Sequence, residues 1–372
     1  AKLKDALHES EELHALYQGE ANIRKLYDMA EKLEGVARHA SLHAAGVVIS
    51  YDKLTEYTPL QLATKGDISI TTQYSMYHVE SVGLVKMDFL GLSNLSILQN
   101  ALRIIRRVNK VEIDLNAIPT DDKETYKLLS RAETTGVFQL SSDGMKRYLR
   151  ELKPTTFEDI TAMVALYRPG PIESIPDFIA AKHGRKEVTY LDPRLEPILK
   201  KTYGVIVNQE QVLQIARDLG GFTYGEADIL RRAVGKKIKE LLDEQKGRLL
   251  EGMVKNGVEP GTANKIWAFI EPFARYGFNK SHAAGYAMIA YQTAYLKAHY
   301  PEAFMAALLT ADQNDLDKVA RDISECERMG IKVLPPDVNE SFPEFAVVPA
   351  TLDIRFALAA IKNVGLKVSQ EI

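Results

Sequence analysis

The ten residues Gly83-Leu84-Val85-Lys86-Met87-Asp88-Phe89-Leu90-Gly91-Leu92 read as a short strand closed by glycine. Side chains alternate faces along a strand, so Val85, Met87 and Phe89 share one face and Lys86 and Asp88 share the other. A cation and a carboxylate two residues apart suit a polyanion-plus-metal site. The carboxylate is a hard ligand for Mg²⁺, and the ammonium neutralises a phosphate oxygen. The same pair also fits a solvated ion pair on the wet face of a strand.

Outward from this stretch the pattern changes twice. Toward the N-terminus, residues 43–92 hold two more β-rich runs, Val47-Val48-Ile49 and Ile68-Ser69-Ile70-Thr71-Thr72, bounded by Gly, Asp and Lys. Residues 1–40 place Leu13, Leu16, Tyr17, Ile23, Leu26, Tyr27 and Leu33 at roughly helical spacing. From Ser93 onward the reading is mainly helical. Helices are expected at Leu95–Val108, Asp121–Leu129, Gln209–Leu219 and about 225–233, 238–256, 261–273, 281–300 and 315–329. Pro169-Gly170-Pro171 breaks the chain, and the tail from Val338 to Gly365 alternates enough for short strands. The fold class is therefore α+β, a small β-rich part followed by a large, mainly helical region.

The 372 residues carry a net charge of −3, one cysteine (Cys326) and 46% hydrophobic residues. That content builds a sizeable core, and the length calls for two or three domains. A single cysteine excludes an internal disulfide and fits a reducing cytosol. No run approaches a membrane span and no signal peptide opens the chain, so no membrane partner is expected. The charge excludes a surface that is basic throughout, but not a local basic groove. The start at Ala1 inside a helical pattern and the end at Ile372 in polar sequence read as a piece of a longer protein.

Two stretches concentrate cations. Residues 229–239 hold five and no acid. Arg231 and Arg232 present two planar forks suited to phosphate oxygens, and Gly235 is expected to end their helix, leaving Lys236 and Lys237 on a turn. Residues 275–300 hold Arg275, Lys280, His282, Lys297 and His299, again with no acid. Ser281 or Asn279 caps the following helix, and free N–H groups are expected at its start beside Lys280 and His282. Tyr291 and Tyr295 share a face, as core residues or as a stacking surface. Arg168 sits on the rigid Pro-Gly-Pro turn, and Gln139 and Ser141 follow a Gly-Val-Phe segment. His39 and His43 are four apart but lack the partners of a zinc site. Asp315-Leu316-Asp317 reads as acidic residues opening a helix.

Together these segments resemble the bacterial DNA polymerase III alpha subunits, the C-family replicases. The 83–92 stretch resembles their third catalytic aspartate motif. Further blocks agree in order: Arg38–Ile49, Gly136–Leu140, Leu166–Pro171, Gln209–Gln211, Leu230–Lys237 and Tyr276–Ala284. The resemblance implies that residues 1–40 are the end of a thumb, 41–92 the second part of a palm, and 93–372 fingers. It implies DNA-directed DNA polymerase activity in the whole protein, two-metal nucleotidyl transfer with Mg²⁺, and a bacterial cytoplasmic setting. Primer-template DNA, dNTPs, a sliding clamp and other replisome subunits are the implied partners.

By the same resemblance, Asp88 is a catalytic metal ligand. Lys86, Arg231, Arg232, Lys236 and Arg168 contact the incoming nucleotide. Lys280, Ser281, His282 and Gln139 are candidate phosphate or DNA contacts. The family's Asp-x-Asp pair has no counterpart strand here, so this piece is expected to be inactive alone. Asn208 stands where the family often has Tyr. The competing reading is a non-catalytic nucleic-acid-binding scaffold that keeps the fold.

Overall fold

A computed structural model describes residues 2–36, 41–63, 70–236, 239–274 and 277–372; the side chains of residues 9, 234–240 and 272–276 stand outside that description. Arg38, His39, Ile68, Ser69, Lys237, Arg275, Tyr276 and the side chain of Lys236, all singled out above, thus lie outside the described residues. Contacts divide the chain into two units, Ala1–Gly91 and Leu92–Ile372.

The first unit opens with helices α1 (Leu3–Glu9), α2 (Glu11–Gly19) and α3 (Ala21–Leu33). Ser10 starts α2 by accepting the Leu13 N–H at 3.2 Å. Buried Tyr27 joins the three, donating to the Leu3 carbonyl and packing edge-on against Tyr17 at 5.6 Å. Two antiparallel pairs follow. Strand β1 (Gly46–Ile49) pairs with β4 (Val85–Asp88), and β2 (Leu60–Leu62) with β3 (Ile70–Thr72); α4 (Met76–Ser81) precedes β4. In the first pair Gly46 faces Asp88, Val47 faces Met87, Val48 faces Lys86 and Ile49 faces Val85. The alternation is as read, but the apolar face is left open to solvent, and on the other face Lys86 is covered while Asp88 is not. Val85, Met87 and Phe89 are 55%, 46% and 66% exposed, whereas the Lys86 side chain is only 13% exposed. A two-stranded sheet has too little area to cover both its faces.

The second unit is helical around three cores. The first is built by α6 (Lys123–Ser130), α7 (Asp143–Leu152), α8 (Phe157–Leu166) and α9 (Ile175–Lys182) against α15 (Lys280–His299). The second joins α5 (Ser93–Val108), α16 (Pro301–Asp312), α17 (Leu316–Arg328) and a small sheet, ordered β5-β7-β6, of β5 (Val333–Leu334), β6 (Ala346–Val347) and β7 (Ile354–Arg355). The third holds α10 (Glu196–Leu199), α11 (Gln209–Asp218), α12 (Tyr224–Lys236), α13 (Lys239–Lys255) and α14 (Pro260–Ala274). A last helix, α18 (Leu366–Glu371), follows the sheet.

Local chemistry explains these helix starts. Asp122 accepts the Thr125 N–H, Thr156 and Asp159 form a capping box, and Asn279 and Asp315 cap α15 and α17. Asp315 thus does what its place in the sequence suggested. Two expectations are corrected. Pro301 ends α15 but also opens α16, a helix the sequence reading passed over, because proline suits a first helical position. Gly235 does not end α12, which runs on to Lys236. Helix α13 and the turn after α11 are held unusually close. A Cβ on Gly252 of α13 would lie 2.1 Å from the Gly220 carbonyl oxygen, so backbone touches backbone there.

The α+β class read from the sequence holds: small sheets in the first unit, helices through the second. Among the described residues no helix is long and apolar enough to cross a membrane.

Candidate functional site

In the first unit the site is the end of β4. Lys86 Nζ donates to Asp88 Oδ1 at 2.6 Å, across two residues of one strand. Residue 46, opposite Asp88, is glycine, and it makes room: a Cβ there would stand 2.7 Å from His43 Nδ1 and 3.3 Å from the Lys86 stem. His43 Nδ1 comes within 3.6 Å of the same Asp88 oxygen. The Lys86 hydrogen bond holds the Asp88 carboxyl below the usual aspartate range, slight burial opposes it, and the charges of Lys86 and His43 add to the lowering. Asp88 stays 54% exposed, and among the described residues no hydrogen bond reaches its second oxygen. That oxygen is a hard donor open to a cation. Among the described residues no three His, Cys, Asp or Glu side chains gather to hold a metal. Asp88 therefore fits one ligand of a Mg²⁺ site and does not complete it.

In the second unit, Arg168, His282 and the segment carrying Gln139 come together through aromatic rings. The Arg168 guanidinium lies 3.8 Å over the Phe278 ring, and its Nε is buried without a hydrogen bond. Phe278 meets the His282 ring at 5.1 Å, His282 meets Tyr286 at 4.3 Å, and Tyr286 meets Phe138 at 5.2 Å. Gln139 follows Phe138, exposed, with φ of +60°. A non-glycine residue in that conformation is held there by its neighbours. Here they are buried Phe138 and Leu140, tied by Phe138 N to Thr293 Oγ1 and Thr134 Oγ1 to the Leu140 carbonyl.

The start of α15 differs from expectation. Two of its first-turn N–H groups, those of Lys280 and His282, are already taken. Glu210 accepts the Lys280 N–H with both carboxylate oxygens, at 3.0 and 2.9 Å, and Asn279 accepts that of His282 at 2.9 Å. The protein supplies its own anion at this positive end, so Lys280 and His282 offer side chains rather than backbone to a ligand. Gln209 adds bonds to the Phe278 and Gly277 carbonyls, so α11 is fastened to the root of α15. Asn208, just before, is 5% exposed, and its side-chain oxygen has no hydrogen-bond partner.

Arg231 and Arg232 stand on α12 and share a carboxylate that the sequence reading overlooked. Asp228 Oδ1 accepts from Arg231 Nε at 2.8 Å, and Oδ2 lies 3.1 Å from Arg232 Nε. Asp228 stands three and four residues before the arginines, one residue ahead of the acid-free window at 229–239. Tyr291 is fully buried, its hydroxyl donating to the Pro119 carbonyl and accepting from the Asp122 N–H; it is core, not a stacking surface. Lys297 is buried too, bonded to the Glu133 and Thr135 carbonyls and to Glu325. His299 pairs with Asp122, and His183 reaches the Glu151 and Leu152 carbonyls.

Comparison with known proteins agrees with this layout. The model of the bacterial DNA polymerase III alpha subunit finger domain matches residues 94–257, and that of the bacterial DNA polymerase III alpha NTPase domain matches residues 1–91. A helix-hairpin-helix motif matches residues 330–372. The chain is 49% identical to DNA polymerase III subunit alpha of Thermus aquaticus, over 98% of this chain and 30% of that protein. It is 47% identical to the Bacillus subtilis subunit over 100% of this chain and 33% of the relative, and 47% identical to the Escherichia coli K12 subunit over 98% and 32%. The chain thus spans about a third of the length of the curated relatives it matches.

Proposed function

The chain belongs to the bacterial DNA polymerase III alpha subunit family, and on that premise we propose that it is the nucleotide-gripping part of a template-dependent DNA polymerase. The whole protein would add dNTPs to a primer 3′ end. Residues 1–40 would be the end of the thumb, 41–92 the second part of the palm and 93–372 the fingers.

The observation that carries the reading is Asp88. It is an exposed carboxylate, kept ionised by Lys86, with one oxygen open to a cation, inside the motif that resembles a catalytic aspartate. Mg²⁺ bound there would supply Lewis-acid charge stabilisation to phosphoryl transfer. The remaining ligands would come from carboxylates outside these residues, so this piece would not polymerise alone.

The chain's own residues would bind and orient. Lys86 holds Asp88 in place and offers its ammonium to a phosphate. Arg231 and Arg232 present two forks to the triphosphate, with Lys236 next along the helix. Arg168, braced on Phe278, would add a cation at the nucleotide, and Lys280, Ser281, His282 and Gln139 would meet phosphate or DNA. The helix-hairpin-helix match at 330–372 supports DNA as a partner. The clamp, the other replisome subunits and a cytoplasmic setting follow from the family likeness.

Asp88→Asn in the full-length subunit is the test. Nucleotide addition should fall by ~10³-fold or more while primer-template affinity stays near normal, because a lost metal ligand removes transition-state stabilisation and not DNA contacts. Near-normal turnover would make Asp88 a surface carboxylate and favour the scaffold reading.

A further inference from the structure

Buried Ala227, Leu230 and Ala233 recur at every third position and seat α12 on its core. Asp228, Arg231 and Arg232 lie to the outer side, with side chains 42%, 35% and 55% exposed. Each oxygen of Asp228 serves a different guanidinium. The two forks are therefore held together by one carboxylate placed a turn before them, the favourable order for an acid and a base on a helix.

We propose that Asp228 is a placeholder anion that makes this face selective for polyphosphates over single phosphodiesters. The proposal rests on the reading of Arg231 and Arg232 as triphosphate contacts. An exposed ion pair is weak and exchangeable, but Asp228 is tethered and always at hand. A lone phosphodiester brings one negative charge, no more than the carboxylate it must displace. A triphosphate brings several charges and enough oxygens to engage both forks at once. Asp228 is open enough to solvent to swing away when displaced. It thus lowers the affinity of the arginines for every anion, and a lone phosphodiester, with fewer charges and oxygens than a triphosphate, has least to set against that cost.

The test is Asp228→Asn in the full-length subunit, an isosteric change at an exposed position. The KM for dNTPs should fall roughly threefold to tenfold with kcat unchanged within about twofold, the size expected when two weak ion pairs no longer compete. Competitive inhibition by inorganic tripolyphosphate should strengthen by a similar factor. Binding to nonspecific duplex DNA should rise, with a steeper salt dependence as the freed cations reach phosphates. A KM that is unchanged or raised would overturn the proposal, the latter by showing that Asp228 aims the arginines productively.

Arg231→Ala/Arg232→Ala separates the two layers. If it leaves the KM unchanged, the nucleotide-contact reading itself fails, and the placeholder with it. If it raises the KM while Asp228→Asn does not lower it, only the placeholder fails. In the doubly substituted background, Asp228→Asn should have no further effect on KM.

Discussion

Lys86–Asp88 in the first unit and Lys297–Glu325 in the second join the same groups at 2.6 and 2.5 Å. Their surroundings set them apart. The Lys86 ammonium makes one described hydrogen bond, to a carboxylate more than half exposed. The Lys297 ammonium spends all three protons, on two carbonyls and Glu325, with no exposure at all. Burial pushes the Lys297 pKa down and Glu325 pulls it back. Glu325, opposed by burial, is drawn down to about 2 by Arg328 and Lys297. A carboxylate left half in water, as Asp88 is, can exchange its partner for a metal. A pair out of water is part of the scaffold, and here it fastens the segment leading to Gln139 onto α15 and α17.

The hardest blow to that contrast is Lys297→Met. It strips the donors from the Glu133 and Thr135 carbonyls and half the charge from around Glu325, and should cost ~3–5 kcal/mol of stability. The measure is chemical denaturation followed by the fluorescence of Trp267, the only tryptophan. A loss below ~1 kcal/mol would mean the buried pair contributes no more than an exposed one, and the distinction would collapse.

Asp322 gives a middle-sized effect on α17, the helix that carries Glu325. Burial pushes its carboxyl up to about 6, Arg321 pulling the other way, and Oδ2 has no hydrogen bond. A carboxyl that titrates higher in the fold than in the unfolded chain stabilises the fold only while protonated. Its contribution is full below the ordinary value of 3.8 and is lost as the pH climbs through about 6. Asp322→Asn should therefore raise stability at pH 7 by about 3 kcal/mol, given about 1.4 kcal/mol per pKa unit, and flatten the pH profile between 4 and 6. A profile identical to the parent would assign that slope to other groups.

The smallest effect sharpens the exposed side. Lys86→Met should leave the denaturant midpoint where it is while the Asp88 pKa climbs back toward its ordinary value, since the Lys86 hydrogen bond is the main cause of its lowering. A carbon NMR titration of the Asp88 carboxyl reads this directly. A shifted midpoint would mean that this pair, too, is structural.

Most of the fold was legible because helix periodicity and caps are local. The α5, α11, α14 and α15 spans follow from apolar spacing with Gly or Pro at the ends. Helices α8, α9 and α16, buried along most of their length or opened by proline, carried too little amphipathic contrast to be read. Helix α7 was passed over although its buried Met145, Leu149 and Leu152 keep helical spacing. The rest of what the sequence hid was tertiary. Residues 275–300 contain no acid, yet Glu210 takes the Lys280 backbone N–H, and Glu325 meets the Lys297 ammonium and Asp122 the His299 ring. An acid-free window is a local count, and neutralisation happens across helices. Likewise, alternation along 83–89 was visible, but which face would be covered depends on what packs there. Lys86 beside Asp88 was readable at a separation of two residues. Arg168 over Phe278, more than a hundred residues apart, was not.

The contact between Gly220 and Gly252 gives the arginine-bearing helices an unusual mutational landscape. Two backbones in contact leave no side chain to trade, so any residue larger than glycine at 252 must push α13 away from the end of α11. The hydrophobic residues around it can be exchanged for others of similar volume. Homologous sequences should therefore drift freely at Leu249 and Met253 while position 252 stays locked, and a library built on this hairpin should recover one allele there and many on either side.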